Sequence, residues 1–335
     1  MVVAKYVSLL RHAPYLQHRP AKAKDRHHRR RPAHHPPAGT ATASHLWMKP
    51  PLQTMIAIDQ QTHDKAHAAQ AGTTDLWRFP PLKFPPLTEW QEEDGAEADL
   101  TAPRLDVKSG TLTLHTTTEE QAQAIISQLQ QPRAWQTQDE QENQHRFVAP
   151  ELPQGAVFTP LEVKHERHSS QLHTLYVDFV QHQPPPPNRD ATPEGGAVQR
   201  SEDFKMDGRP FSDYGARVLE GSTAALRAWK HREWHTAKHP LLTGQQADRY
   251  APTRRKPREV TVHLLWRASS LQQLHTNREA FLARLTLPEA RQIDVAATGK
   301  RYAAIYKSES VNDFYPQDAW LESSITFTII NEQEL

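Results

Sequence analysis

The feature that most restricts the fold of this chain is a strand–helix–strand pattern near its C-terminal end. Over residues 258–330, Val260, Val262 and Leu264 alternate with Thr261 and His263, the period of a half-buried strand. Ser269-Ser270 then leads into a helical run, 271–287. A short strand around Ile293-Asp294-Val295 reaches a turn at Thr298-Gly299, and a longer strand runs from Tyr302 through Tyr306 to Val311. An alternating strand, Ile325 to Ile329, closes the unit. Strand, helix and three strands make a small α+β module in which each strand buries one face.

The same pattern occurs earlier. Leu112-Thr113-Leu114 alternates like 260–264, and 119–131 reads as a helix with Ala122, Ile125, Ile126 and Leu129 on one face. Capping-box patterns precede both helices, Thr117-x-x-Glu120 and Ser270-x-x-Gln273. Gly155 precedes Phe158 and 161–163 as Gly299 precedes Tyr302 and Ile305, and Leu175 to Phe179 matches Ile325 to Ile329. Upstream, Gly95-x-x-Ala98-Asp99-x-x-Ala102-Pro103 lines up with Gly244-x-x-Ala247-Asp248-x-x-Ala251-Pro252. The spacing between copies is 149 residues at the first anchor and 144 at Gly155/Gly299, a drift of the kind loop insertions produce. The expectation is a diverged tandem duplication. Its fold class is α+β, mainly β: two related β-sandwich-like modules, each with one packed α-helix, plus extended Pro-rich arms.

Charge divides the chain unevenly. Residues 1–49 carry ten Lys and Arg against Asp25 alone, a formal +9, so the remainder carries −8 of a net +1. The run Arg26-His27-His28-Arg29-Arg30-Arg31 cannot bury enough apolar surface to offset its ordering entropy. Residues 1–50 are therefore expected to form a basic, extended arm. Arg26, Arg29, Arg30 and Arg31 are candidate nucleic-acid contacts through phosphate neutralisation. The remaining boundaries are a first β-rich module over 51–183, a Pro-rich linker over 184–203, stiff and then loose, and a second module over 204–335. The linker opens on Pro184-Pro185-Pro186-Pro187.

Several chemistries have no support. Cysteine is absent, which removes disulfides, thiolate metal sites and cysteine nucleophiles. Neither a phosphate loop, nor Gly-x-Gly-x-x-Gly, nor Gly-x-Ser-x-Gly occurs. Glu92, Glu93 and Asp94 read as a solvated turn. His231, His235 and His239 share an i, i+4, i+8 spacing and His63 and His67 repeat it, but among 20 histidines such pairs arise by chance. The expectation is solvated or interface histidines, with no catalytic residue, metal or cofactor. No apolar run approaches the ~20 residues a membrane span needs. The N-terminus lacks the order of a secretory signal, so the product is expected to be cytosolic when made.

Hydrophobic residues are only 37% of the chain and Pro is frequent, which suggests thin cores finished by partners. Trp77-Arg78-Phe79-Pro80-Pro81-Leu82 and Phe84-Pro85-Pro86-Leu87 should be extended, along a sheet edge or a neighbouring subunit. With the loop 220–257 they supply the expected interface residues: Trp77, Phe79, Phe84, Tyr214, Trp229, Trp234 and Tyr250.

The stretch Phe204-Lys205-Met206-Asp207-Gly208-Arg209-Pro210-Phe211-Ser212-Asp213-Tyr214-Gly215 resembles the opening of distal tail proteins of long-tailed bacteriophages. There a strand and turn lead to an Asp/Asn-Tyr-Gly-like step, a long loop, and then strand, helix and strands. The resemblance covers roughly the second half of the chain. It implies a non-enzymatic virion protein, made in the host cytoplasm, forming a ring between the tail tube and the baseplate or receptor-binding apparatus. Its partners would be copies of itself and tube, hub and fibre proteins, with three or six chains per ring and six favoured. The other reading is a nucleic-acid-binding or connector protein that uses the basic arm.

Overall fold

The computed structural model describes residues 56–68, 74–90, 93–131, 144–149, 152–228, 231–232, 236–237, 243–244, 246–247 and 254–335. The basic arm, with Arg26, Arg29, Arg30 and Arg31, lies outside them, as do Trp229, Trp234 and Tyr250.

The first half contains β1 (Ile56–Ile58), β2 (Gln61–His63), β3 (Ala66–Ala68), α1 (Thr74–Trp77), β4 (Leu87–Thr88), β5 (Glu97–Ala98), β6 (Lys108–Thr116), α2 (Glu119–Gln130), β7 (His145–Ala149), β8 (Leu152–Ser169) and β9 (Leu172–Gln181). The second contains β10 (Phe204–Met206), β11 (Arg209–Pro210), β12 (Ala216–Val218), α3 (Ser222–Arg227), β13 (Thr236–Ala237), β14 (Gln246–Ala247), β15 (Arg258–Arg267), α4 (Leu271–Leu285), β16 (Arg291–Val295), β17 (Lys300–Tyr315) and β18 (Trp320–Glu334). Each half forms one seven-stranded antiparallel sheet, in the orders β2-β1-β7-β8-β9-β6-β3 and β11-β10-β16-β17-β18-β15-β12. Counted along the chain, these are the same order. In both halves a two-stranded ribbon (β4–β5, β13–β14) interrupts the chain between the third and fourth strands of the sheet. The fold is α+β, mainly β, in two β-sandwich-like modules.

Matching positions do matching work. Asp59 and Asp207 both sit at positive φ in the first hairpin of their sheets. Asp59 Oδ1 accepts from Arg146 N at 2.8 Å and Oδ2 meets the buried His145 Nδ1 at 2.7 Å. Asp207 Oδ1 accepts from Gln292 N at 2.9 Å and Oδ2 from Arg291 Nη1 at 2.9 Å. A buried cation opens β6 and β15, the strand next to one edge of each sheet. Lys108 Nζ donates to Leu76 O and Arg258 Nη2 to Leu226 O, both at 2.7 Å, each closing the end of the short helix beside it. The β8–β9 ladder shifts register between Pro160 and Glu162, and the β17–β18 ladder between Tyr306 and Ser308. Leu161 and Lys307 thus occupy the same bulge.

The helices follow their apolar stripes. α2 buries Ala122, Ile125 and Leu129 in the first core, and α4 buries Leu274, Ala280, Phe281 and Leu285 in the second. The expected cap at Thr117 is one residue early: Thr118 is the N-cap and accepts from Gln121 N, because Thr118 has the extended backbone an N-cap needs. Ser270 caps α4 through Gln273 N as expected, but the Gln273 side chain reaches back to Ser269 rather than to the cap. α4 ends at Leu285, two residues short of the expected limit.

The linker is not loose in its second part. Glu194 N donates to Asn277 Oδ1 at 2.7 Å, Gly195 N to Asp213 O at 3.0 Å, and Ala197 N to Arg267 O at 2.9 Å. A Cβ on Gly196 would lie 2.3 Å from Gly215 Cα, so only glycine permits this approach. The polar composition after Pro187 suggested a loose chain; it does not exclude a polar segment whose backbone donors are satisfied by a neighbour.

Candidate functional site

Buried charged, aromatic and backbone groups converge where the first half crosses to the second. Leu76 belongs to the first hydrophobic core and the next residue, Trp77, to the second. Residues 77–82 form a strap over α4 and β17. Leu82 N donates to Lys307 O at 2.9 Å, a carbonyl that the bulge turns out of the β17–β18 register. The Tyr306 hydroxyl donates to Pro80 O at 2.9 Å, and burial holds its pKa well above the ordinary value, so it stays a neutral donor.

An ion pair clamps the strap. Arg278 on α4 and Glu309 on β17 are both buried, the Glu309 side chain completely. Arg278 Nη1 meets Glu309 Oε1 at 3.1 Å and Nη2 meets Oε2 at 2.8 Å, a bidentate pair. The pair then binds backbone: Arg278 Nη2 donates to Trp77 O at 2.9 Å, and Phe79 N donates to Glu309 Oε2 at 2.7 Å. The guanidinium lies 4.3 Å from the Phe79 ring centre and 5.0 Å from that of Trp266. Trp77 stacks on His275 at 4.7 Å and meets Phe314 at 4.3 Å. Beside the strap is a cavity of about 450 Å³, lined in part by Lys108, Val157, Pro186, His275 and Leu282.

The expected interface aromatics fall into three groups. Trp77, Phe79 and Tyr214 are buried in this chain's own second core, Tyr214 edge-on to Phe281 at 5.1 Å. No neighbouring copy is needed to explain them. Phe84 is half-buried against the same core. Trp229, Trp234 and Tyr250 fall outside the described residues. The ribbon β4–β5 also rests on the second half: Ala96 N donates to Ile330 O at 3.0 Å, and Asp94 Oδ1 accepts from Arg255 N at 2.7 Å. Asp94 thus holds backbone while remaining exposed, in keeping with the expected solvated turn.

The histidine pattern resolves differently from a helical face. His231 makes a β-bridge with Arg255, and His235 and His239 are outside the described residues. His63 is a buried structural residue, its Nε2 2.8 Å from Gln128 Oε1 and its Nδ1 2.6 Å from Gln121 Nε2. His67 instead joins His115 and His168 at the far end of the first sheet, where His165 and His173 form a separate pair. The His67 and His115 ring centres are 5.4 Å apart. His165 Nε2 lies 3.1 Å from His173 Nδ1, and both His115 and His168 reach the Thr174 hydroxyl at 3.0 Å. Among the described residues no three side chains are placed to hold a metal ion. No described helix is long and apolar enough to cross a membrane.

This cluster predicts acid sensitivity. Burial lowers the His67 pKa; burial, then His67 and His168, lower that of His115. Glu166, 3.9 Å from His168, and Arg167, paired with Glu119 of α2, are charged groups beside the cluster. A histidine charged less readily when folded contributes stability that is present above the unfolded value of 6.5 and is lost as pH falls through the folded pKa. Thermal melts from pH 7.5 to 5 should show the first half losing stability, with a smaller loss in a His67→Asn/His115→Gln variant. An equal loss in both proteins would remove the cluster as the cause.

No protein-family model matches the chain, and no curated protein matches it. Among solved structures, one similar chain is the SPP1 Dit (gp 19.1) protein, described as a paradigm of the hub adsorption apparatus in phages infecting Gram-positive bacteria. The identity is 15% and the TM-score 0.30, over 39% of this chain and 52% of that one. The match thus spans about half the length of that structure.

The strap's tethers were not readable from sequence. Arg278 and Glu309 look like surface residues of a helix and a strand, and Lys108 like a strand terminus. The signal was the aromatic and proline content of 77–87, which pointed to an extended segment along a sheet edge or a neighbouring subunit without naming which sheet.

Proposed function

We propose that this chain is a structural virion protein that forms a ring in a bacteriophage tail, joining the tail tube to the baseplate or receptor-binding apparatus. The virion reading comes from the resemblance of residues 204–215 to the opening of distal tail proteins. The observation that carries an assembly role is the strap. Two modules of one strand order are joined by an extended segment of the first, seated in a buried socket of the second. The shared order and the matched Asp59/Asp207 and Lys108/Arg258 contacts support a tandem duplication as the origin of the two modules. A module that seats an extended segment in the socket of its neighbour suits a ring, where each unit must present different left and right faces.

The test is the mass of the purified full chain, 38.2 kDa as a monomer, by mass photometry and electron microscopy. Closed rings at three or six times that mass are expected, six being favoured. Monomers at micromolar concentration, or open filaments, overturn the ring.

A further inference from the structure

The cavity beside the strap is lined by both modules, and the assembly reading makes no use of it. Leu76 and Trp77, Val157 of β8, Pro186 of the linker and Leu282 of α4 form its apolar lining. Val157 is 40% exposed while Leu76, Trp77 and Leu282 are buried, so that lining runs from the surface inward. At about 450 Å³ the cavity falls in the range of small-molecule sites, about 300–1,000 Å³.

One buried cation lines this cavity without an anion of its own. The charges acting on Lys108 are those of Arg78, Glu309, Arg278 and Asp75. They already form two pairs, Arg78 with Asp75 at 3.6 Å and Arg278 with Glu309 at 2.8 Å. Each pair is formally neutral, which leaves the Lys108 ammonium as the unbalanced charge among them. Its hydrogen bond goes to a neutral group, the Leu76 carbonyl, at 2.7 Å. Glu279 also lines the cavity, but it accepts from Asn188 N at 3.3 Å and is not among the charges acting on Lys108. His275 lies against the Trp77 ring.

The second module shows what is missing. There Arg258 takes the place of Lys108, and Glu332 neutralises it at 3.0 Å. By pairing register, Ile329, opposite Arg258, corresponds to Gln181, opposite Lys108. Three residues on, Glu332 corresponds to Pro184, the first proline of the linker. The first module therefore lacks the internal carboxylate, and the prolines that follow Pro184 line the cavity instead.

We infer that this cavity is a binding site for a small amphipathic monocarboxylate, its carboxylate on the Lys108 ammonium in the role of Glu332 and its apolar body along Trp77, Leu282 and Val157. An inorganic anion would leave the apolar lining in water, and a neutral apolar molecule would leave the ammonium unbalanced. Burial, with Arg78 close by, brings the Lys108 pKa down to about 7, so at pH 8.5 the free protein holds it mostly uncharged. A carboxylate beside it favours the charged form, and binding there takes up a proton. Affinity therefore falls as pH rises above 7, by up to about tenfold per pH unit.

The experiment titrates the full chain with octanoate and with 4-phenylbutyrate by calorimetry at pH 7 and 8.5, each in two buffers of different ionisation enthalpy. Octan-1-ol, with the same tail and no charge, is the control. One acid should bind per chain, more weakly at pH 8.5 by about tenfold, with proton uptake at that pH. Octan-1-ol should bind more weakly than octanoate. Lys108→Met should weaken octanoate by at least about tenfold, abolish the proton uptake and leave octan-1-ol bound no less tightly. Val157→Trp, at an exposed position and checked for folding by circular dichroism, fills the entrance and should weaken every ligand. If neither acid binds the unaltered chain below about 1 mM, the inference is wrong. It is equally wrong if octanoate binds Lys108→Met as tightly, or binds at pH 8.5 without taking up a proton, since the acid then sits elsewhere. None of these outcomes bears on the ring, whose test is the mass of the assembly.

Discussion

Replacing Glu309 with alanine should destabilise the protein by about 3–5 kcal/mol, the cost of leaving one member of a buried ion pair without its partner. Arg278 would then remain buried, under the rings of Phe79 and Trp266, still donating to Trp77 O. Phe79 N would lose its acceptor in the same step. The strap should loosen, and trypsin should cut after Arg78 faster than in the unaltered protein. Removing both charges, Arg278→Met with Glu309→Leu, should cost less than the single change. It should still cost about 1–3 kcal/mol, because the Trp77 carbonyl and Phe79 amide stay unpaired. Urea denaturation of the three proteins checks this. A Glu309→Ala cost below about 1 kcal/mol, or a double variant worse than the single, would show that the pair does not hold the strap.

The stability of the chain should rise with pH between about 7 and 10.5, and Lys108 should be the cause. Burial, with Arg78 close by, brings its pKa down from 10.5 to about 7. Within that window the folded protein holds its ammonium deprotonated while the unfolded chain keeps it charged. The unfolded state therefore binds more protons, and stability increases with pH. The slope from one such group is at most ~1.4 kcal/mol per pH unit. Below pH 7 both states are charged and the contribution is flat. In a Lys108→Met variant this slope should disappear, and stability at neutral pH should rise or hold, depending on the loss of the Leu76 carbonyl contact. Arg258 provides the contrast. It occupies the matching position but meets Glu332 at 3.0 Å, so its charge is neutralised in place. Denaturation midpoints at pH 7, 8.5 and 10 for both proteins decide it; an unchanged slope in Lys108→Met would assign the effect to another group.

Both predictions concern groups that look ordinary in the sequence, which bears on what could be read there. Periodicity alone placed β15, β18, α2 and α4, because a strand or helix with one buried face must repeat at two or near 3.6 residues whatever it packs against. Gly299 marked a turn, where it adopts positive φ; Gly155, also at positive φ, lies within β8, and the aligned Gly95 and Gly244 motifs fall at the two ribbons. These are local requirements, written in a few adjacent residues. The first hairpin, Ile56 to His63, carried the weaker signal Asp59-Gln60. Two non-glycine residues at positive φ gave little to recognise until Asp59 was seen to bind Arg146, as Asp207 binds Gln292.

What the tertiary structure decided is the ownership of residues 77–106. By sequence they belong to the first half; by packing, Trp77, Phe79, Leu82 and Leu100 belong to the second core. Aromatic and proline content shows that a segment prefers burial, but burial free energy has no direction and does not name the surface that supplies it. Arg278 and Glu309 are 31 residues apart and unremarkable where they stand, yet the helix and the strand bring them within 2.8 Å of each other. Their meaning depends on a long-range contact that neither residue's local pattern encodes.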